Sequence, residues 1–317
     1  MKAIGGYFGL ELNKGEEYHE NAIKLNTGRN ALEYILLVNN YKKVFLPFFT
    51  CDVLLEPLNK LNIEVAFYSI NKLFEPIFDY SRVKEDEAFL YTNYFGLKDN
   101  YIKRLAVNCK NLIIDNAQSF YSKPLQGIDT FYSPRKFFGV PDGAYLYCNR
   151  QLDIDLEQDI SYNRFEHLLR RIDISAEDGY PYFKENDNSL SNQPIKEMSN
   201  LTQSLLRTID YKKPIQIRKD NFNFLHKNLK DSNKLNLDEF SFISPMVYPY
   251  WTENEKLKQR LLENKIYTPT YWPNVKEWSK QNSLENTLVN EVIYLSVDQR
   301  QTEKELNRIV KIIKNEY

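Results

Sequence analysis

The sequence predicts an α/β fold: a mostly parallel sheet covered on both faces, followed by a smaller α+β C-terminal unit. Three observations carry this expectation. Between about residues 27 and 148, short apolar strand-like runs alternate with helical patterns, and strands separated by helices at that interval pair in parallel with both faces covered. After residue 150 the alternation gives way to mixed helix and polar chain. A length of 317 residues also suits one large α/β unit with a smaller companion. The predicted boundaries are 1–210, including an N-terminal arm, and 211–317.

Taken in order, ALEYILLVNNY (31–41) has apolar residues at helical spacing, and KVFLPF (43–48) is a short strand stopped by proline. CDVLLEPLNKL reads as helix, EVAFYSI as strand, and AFLYTNYFG as strand running into a loop. YIKRLAVNCK is helical, while NLIIDNAQS, DTFYS and GAYLYCN supply three more strands. KENDNSLSNQPIKE (184–197) is polar and predicted to lack regular structure, and MSNLTQSLLRTI to be helix. Residues 210–228 are predicted to form a long linking helix that Pro214 either kinks or divides by starting its second part. In the last third, SFISPMVYPYW, KIYTPTYWP and VIYLSVDQR are predicted strands and ENEKLKQRLLEN a helix, with TEKELNRIVKIIKNEY as a capped amphipathic terminal helix.

Composition excludes several classes of function. Net charge is -1, which offers no electrostatic case for nucleic acid or an anionic membrane. No run approaches the roughly 20 apolar residues that span a bilayer, and MKAIGGYFGLEL lacks the apolar core of a signal peptide. Cys51, Cys109 and Cys148 are odd in number and form no CxxC pair, as expected of reduced thiols in the cytoplasm. His19, His167 and His226 sit in polar sequence, are expected to be exposed, and suggest neither a metal site nor a catalytic triad.

Three segments can carry chemistry, because ligands of open α/β sheets lie at the carboxyl ends of the strands. TGRNAL (27–32) is a glycine turn opening a helix; it is either a plain turn or a phosphate site made by backbone N–H groups with Arg29 beside them. LIIDNAQS (112–119) delivers Asp115 to the end of an apolar strand, either as a helix cap or as an acid that keeps a heteroaromatic nitrogen protonated. FYSPRKFFGVPDGAYLY (131–147) places Lys136 between apolar residues, with Ser133 three residues before it. That lysine is either an exposed loop residue or a buried amine that escapes the desolvation cost by forming a Schiff base. Together, a phosphate turn, an acid for a pyridine nitrogen and an amine for an aldehyde are the protein groups that pyridoxal phosphate requires.

At these segments the chain resembles the DegT/DnrJ/EryC1/StrS aminotransferases, pyridoxal 5'-phosphate enzymes of fold type I. The matching stretches are TGRNAL, VFLPFFTCDVLLEPL, FLYTNYFGL, LIIDNAQSFYS, SPRKFFGVPDGAYLY, RTIDYKKPIQIRKDNFNFL and KIYTPTYWP, in family order. The resemblance implies that Lys136 bonds the cofactor aldehyde, Asp115 pairs its ring nitrogen, and Gln118 lies against the ring substituents. It places Gly28 and Arg29 at the phosphate turn and Asn93 in a loop near the cofactor. The chain also departs from the family. Phe131 stands where a phosphate-binding serine is usual, so Ser133 is expected to replace it. The ring-stacking aromatic falls near Cys51, so either Phe49 takes that role or the ring face is less covered. The usual Asn-x-Arg-Met of the partner-subunit loop reads Ile195-Lys196-Glu197-Met198, so Asn188, Asn192 or Lys196 stands in for that contact or the contact is lost.

The expected activity is transfer of an amino group, from a donor such as glutamate, to a keto-sugar that the resemblance makes nucleotide-linked, within a homodimer. Membrane and nucleic acid are not expected partners. Two alternatives remain: a non-catalytic regulatory protein that binds pyridoxal phosphate or sugar, and a pyridoxal phosphate enzyme acting on another keto compound. A nucleotide-binding α/β protein is disfavoured, since neither GxGxxG nor GxxxxGK occurs.

Overall fold

In the computed structural model, which describes residues 4–315, one eight-stranded sheet runs in the order β1-β8-β7-β6-β5-β2-β3-β4. Its strands are β1 Ile23–Leu25, β2 Lys43–Pro47, β3 Glu64–Ile70, β4 Pro76–Ile77, β5 Glu87–Thr92, β6 Leu112–Asn116, β7 Asp129–Tyr132 and β8 Ala144–Tyr147. Strands β3, β2, β5, β6 and β7 are parallel in that order. β1, β4 and β8 pair antiparallel at the margins. Every residue of β5 and β6 is buried, as befits central strands covered on both faces.

The strand pleat sorts apolar side chains between two layers. Leu90, Ile113 and Phe131 pack with helices α1 (Gly28–Asn39) and α2 (Leu55–Lys60). Phe89, Leu112 and Ile114 pack on the other side with α3 (Asp99–Asn108). Thr27 caps α1 by accepting the Asn30 N–H at 3.1 Å, and Asn40 ends it in the left-handed conformation.

Beyond the sheet, α4 (Glu166–Asp173) and α5 (Ala176–Ser189) form a helical hairpin. Gly179 allows their close approach, since a Cβ there would lie 2.7 Å from the His167 carbonyl oxygen. Ser175 caps α5 by accepting the Asp178 N–H. Residues 184–189, predicted to be irregular, are therefore helical, because the cap and the packing against α4 outweigh their polar composition.

Helix α6 (Asn200–Leu206) precedes the linking helix α7 (Lys212–Leu229). Pro214 lies in the first turn of α7, where its missing N–H removes no helical bond, so it starts the helix without kinking it. The C-terminal part adds α8 (Leu257–Glu263), α9 (Val275–Trp278), α10 (Leu284–Glu291) and α11 (Glu303–Lys314) to a two-stranded antiparallel sheet of β9 (Val247–Trp251) and β10 (Val292–Ser296). Thr302 and Glu305 form the capping box of α11. KIYTPTYWP does not form the expected strand; its prolines remove ladder donors, and Trp272 instead buries its ring against Phe49. No described helix is long and apolar enough to cross a membrane.

The C-terminal part grips the turn that carries Lys136. Arg218 of α7 is 2% exposed and lies 4.7 Å over the Phe137 ring. It donates to Gln299 Oε1 at 2.9 Å and to the Pro245 and Met246 carbonyls at 3.3 Å. Gln299 in turn donates to the Phe137 carbonyl at 2.9 Å. One continuous apolar cluster, including Tyr94, Phe95, Phe222, Leu225 and Tyr294, joins the large sheet to this part.

The histidines correct a sequence expectation. His19 and His167 are buried, and His226 is half-buried against Asp238. His19 sits among Phe120, Tyr132 and Tyr145, with Nε2 donating to the Phe120 carbonyl at 2.7 Å. The polar residues around it in sequence concealed an aromatic cage assembled from β7, β8 and the chain after β6. Burial pushes its pKa from 6.5 down to about 4. The folded protein therefore favours the neutral ring, and the resulting stability is present above pH 6.5 and lost as pH falls toward 4. At about 1.4 kcal/mol per pH unit the loss is on the order of 3 kcal/mol. Urea unfolding at pH 7 and pH 4.5 is expected to show this loss, with a smaller pH difference in His19→Gln; an unaltered pH difference in the variant refutes the assignment.

Candidate active site

The site begins with the last residues of β6. Asp115 lies beside Thr92 of β5 and Phe131 of β7, at the carboxyl edge of the sheet, and is 7% exposed. Its Oδ1 accepts the Ala117 N–H at 2.8 Å. No helix starts there, so the carboxylate closes a short turn and is not a helix cap. Burial raises its pKa, while the positive charge of Lys136 and the Ala117 hydrogen bond act in the opposite direction.

Lys136 closes a single 3-10 turn, Pro134–Lys136. Both Phe137 and Phe138 donate their N–H groups to the Pro134 carbonyl at 2.9 Å. That turn buries Pro134 and Phe137 and leaves Lys136 exposed in the single chain, contrary to the expected buried amine. One tight turn reverses the direction of successive side chains, so apolar neighbours in sequence do not become neighbours of the amine. The charge of Lys136 nonetheless acts on both Asp115 and Cys51, opposing the effect of burial at each. Cys51 is half-buried at the end of the loop after β2, and burial raises its thiol pKa.

Gln118 is 1% exposed. Its Oε1 accepts the Phe95 N–H at 3.2 Å, which sets the orientation of the amide. The Nε2 group is buried without an acceptor among the described residues. Such an orphaned donor costs about 1–3 kcal/mol, so the position suits an acceptor oxygen supplied by a ligand.

At the start of α1, Thr27 takes the Asn30 N–H, which leaves the Gly28 and Arg29 N–H groups without intrahelical partners. These groups can bind an anion. The Arg29 guanidinium is engaged otherwise: its Nε lies 3.3 Å from Glu56 Oε2, so a carboxylate already offsets its charge. Ser133 opens the Lys136 turn without capping it, and Gly28 faces Phe131 of β7, which a Cβ would meet at 4.0 Å.

Two predicted residues lie elsewhere. Phe49 is fully buried in a cluster with Phe74, Tyr94 and Trp272, so its ring is not available to stack on a ligand. Asn93 is also fully buried, with its amide directed to Asp99, Asn116 and Ser122; its side chain is committed to the loops, not to the crevice.

The segment expected to reach a neighbouring subunit is docked on its own chain. Asn26 donates its N–H to the Lys196 carbonyl at 3.0 Å and its amide to the Pro194 carbonyl at 2.9 Å, while Asn30 donates to Gln193. The Lys196 amine pairs with Glu157 at 2.7 Å. Sequence reading missed Thr27, Asn26 and Glu56. Thr27 was legible as a cap, whereas Glu56 meets Arg29 only through the packing of α2. No cluster of metal-ligating side chains occurs among the described residues.

No protein-family model and no curated protein matches this chain. Solved structures do match in fold. A putative sugar aminotransferase from Streptococcus pneumoniae in its apo form is 14% identical with a TM-score of 0.66, over 96% of this chain and 92% of that one. DesV from S. venezuelae, in complex with a ketimine intermediate, is 14% identical with a TM-score of 0.66, over 93% and 84%. A DegT DnrJ EryC1 StrS aminotransferase from Brucella abortus is 16% identical with a TM-score of 0.61, over 93% and 85%. The chain therefore has the fold of the fold type I aminotransferases across nearly its whole length.

Proposed function

We propose that this protein is a pyridoxal phosphate-dependent aminotransferase of the DegT/DnrJ/EryC1/StrS type. The observation that carries the reading is the buried Asp115 carboxylate at the carboxyl edge of the central strands, in a chain with the fold of solved aminotransferases. The residues present fit the cofactor. The free N–H groups of Gly28 and Arg29 suit its phosphate, the buried Asp115 carboxylate suits its ring nitrogen, and the orphaned Gln118 Nε2 suits an oxygen on its ring. Ser133, which opens the Lys136 turn, is read as adding a hydroxyl for the phosphate. The cofactor, when bound, supplies the electron sink that makes the α-proton of an amino donor removable.

The protein's own groups then divide the work. The Lys136 Nζ anchors the cofactor and moves the proton to and from the donor Cα. Asp115 holds the proton on the ring nitrogen, and burial at the end of β6 keeps water from weakening that interaction. The amino donor is read as glutamate and the acceptor as a nucleotide-linked keto-sugar; the similar solved structures described as sugar aminotransferases support the sugar. A homodimer is part of the reading, supported by the exposed apolar side chains Ile160, Tyr162, Leu169, Ile172 and Ile174 on and beside α4. Three free cysteines support a cytoplasmic setting.

Purified protein with added pyridoxal phosphate is expected to show the visible absorbance of a lysine-linked cofactor, and Lys136→Ala to lose it; an unchanged spectrum refutes the assignment of the lysine. Glutamate should convert the cofactor to its amine form in a single turnover, which a non-catalytic binding protein would not do. Asp115→Asn is expected to slow that turnover by roughly 10² while cofactor stays bound. Gln118→Leu is expected to weaken cofactor binding about tenfold; wild-type affinity would mean that the amide faces no ligand. Sedimentation should give about twice the chain mass of 37.7 kDa, and a combined Leu169→Asp and Ile172→Asp variant should sediment as a monomer.

A further inference from the structure

A cavity of about 220 Å³ lies between α3, the chain that follows β6 and residues 241–243 of the C-terminal part. Ile114 and Asn116 line it, whereas Asp115 between them belongs to the opposite face of the sheet. The cavity therefore lies apart from the residues proposed to hold the cofactor. Ile102, Leu125 and Phe242 give it apolar walls, and Lys103 and Lys123 stand exposed at its rim. Its volume equals about seven waters at roughly 30 Å³ each, which suits an amino acid and not a nucleotide.

Asp99 brings an unmet acceptor to this lining. Its Oδ1 accepts from the Asn93 amide at 3.0 Å and from the Ser122 hydroxyl. Its Oδ2 is buried and has no hydrogen-bond partner among the described residues. Burial raises the pKa of this acid. The Ser122 and Asn93 hydrogen bonds, the Ile243 N–H and the charge of Lys103 oppose that rise without giving Oδ2 a donor. Lys103 follows Asp99 at the i,i+4 spacing that commonly pairs an acid with a base. Here the carboxylate is turned inward by Asn93 and Ser122, and Lys103 forms no ion pair among the described residues. Lys123 is likewise without a carboxylate partner among them, its Nζ lying 4.3 Å over the Tyr18 ring. A buried acid, a free base one helical turn away and aliphatic walls complement a molecule that carries an ammonium and a carboxylate on one carbon.

We propose that this cavity binds a free α-amino acid with an aliphatic side chain. Its ammonium bonds Asp99, its carboxylate meets Lys103 and Lys123, and its side chain packs on Ile102, Ile114 and Leu125. The site adjoins the strand end that carries Asp115. The Asn93 amide that bonds Asp99 also bonds Asn116 at 3.0 Å, and Asn116 directly follows Asp115. A ligand that takes up the charge of Asp99 therefore acts on the residues that hold Asp115 in place, as an effector does. That effector role rests on the aminotransferase reading; the binding site does not.

Calorimetric titration of the full chain, saturated with pyridoxal phosphate, tests the site with L-leucine and two analogues. Leucinol lacks the carboxylate and isocaproate lacks the amine. Leucine is expected to bind without altering the visible spectrum of the cofactor, and each analogue to bind at least tenfold more weakly. Asp99→Asn keeps an acceptor for Asn93 and Ser122 and is expected to weaken leucine at least tenfold. Should that variant fail to fold, the exposed pair Lys103→Glu with Lys123→Glu decides: leucine should weaken tenfold and leucinol should not. Lys304→Glu, on α11, should change the leucine affinity less than twofold. Absence of leucine binding by the wild-type chain overturns the proposal. So does heat that tracks a change in the cofactor spectrum, or weakening by Lys304→Glu equal to that in the lining variants. If the chain binds leucine through Asp99 but takes up no cofactor, the cavity stands and the aminotransferase reading falls. In active protein, saturating leucine should change the rate of the glutamate half-reaction at least twofold, and not in Asp99→Asn; an unaltered wild-type rate overturns the effector role.

Discussion

A buried carboxylate at the end of a central strand is the constraint around which the site is organised. Asp115 is flanked by β5 and β7 and has little access to water, so its charge is favourable only where a compensating positive charge or a hydrogen-bond donor is held nearby. The Ala117 N–H supplies one such donor and Lys136 the charge. A protonated ring nitrogen would supply more. The parallel sheet makes this possible by bringing the carboxyl ends of β2, β5, β6 and β7 to one edge, where loops with unrelated sequences meet.

Holding Lys136 at that edge falls to residues distant in the chain. The turn at Pro134 sets the local direction, while Arg218 and Gln299 clamp Phe137 from the C-terminal part. The α4–α5 hairpin approaches from the other side through Arg135 and Asp187, and through the Asn186 amide on the Pro141 carbonyl. The lysine thus stands on a short turn braced from both directions.

The chain that follows this hairpin departs from the pattern it resembles. The Ile195-Lys196-Glu197-Met198 stretch lacks the Asn and Arg of a partner-subunit contact, and it folds back to cover its own β1–α1 junction. With Glu56 offsetting Arg29, the turn before α1 offers an anion backbone N–H groups, not an unpaired side-chain cation.

The alternation of strand and helix in the first half, its mostly parallel sheet and the place of Asp115 at the end of a buried strand were legible in the sequence by itself. They follow from local apolar periodicity and from residue types at the ends of strands, and both are written in short windows of the chain. The capped amphipathic terminal helix was legible for the same reason, whereas the place of Pro214 in the first turn of α7 was not. Tertiary structure alone decided which side chains face the crevice. Phe49 and Asn93 adjoin the right strands but turn into the packed layers, and Lys136 turns out of them because a single 3-10 turn redirects the side chains it carries. It also decided the environment of His19, whose aromatic cage comes from residues about a hundred positions away, and the partner of Arg29, which arrives on a different helix. Burial and charge pairing between distant segments depend on three-dimensional packing, which no local window of sequence contains.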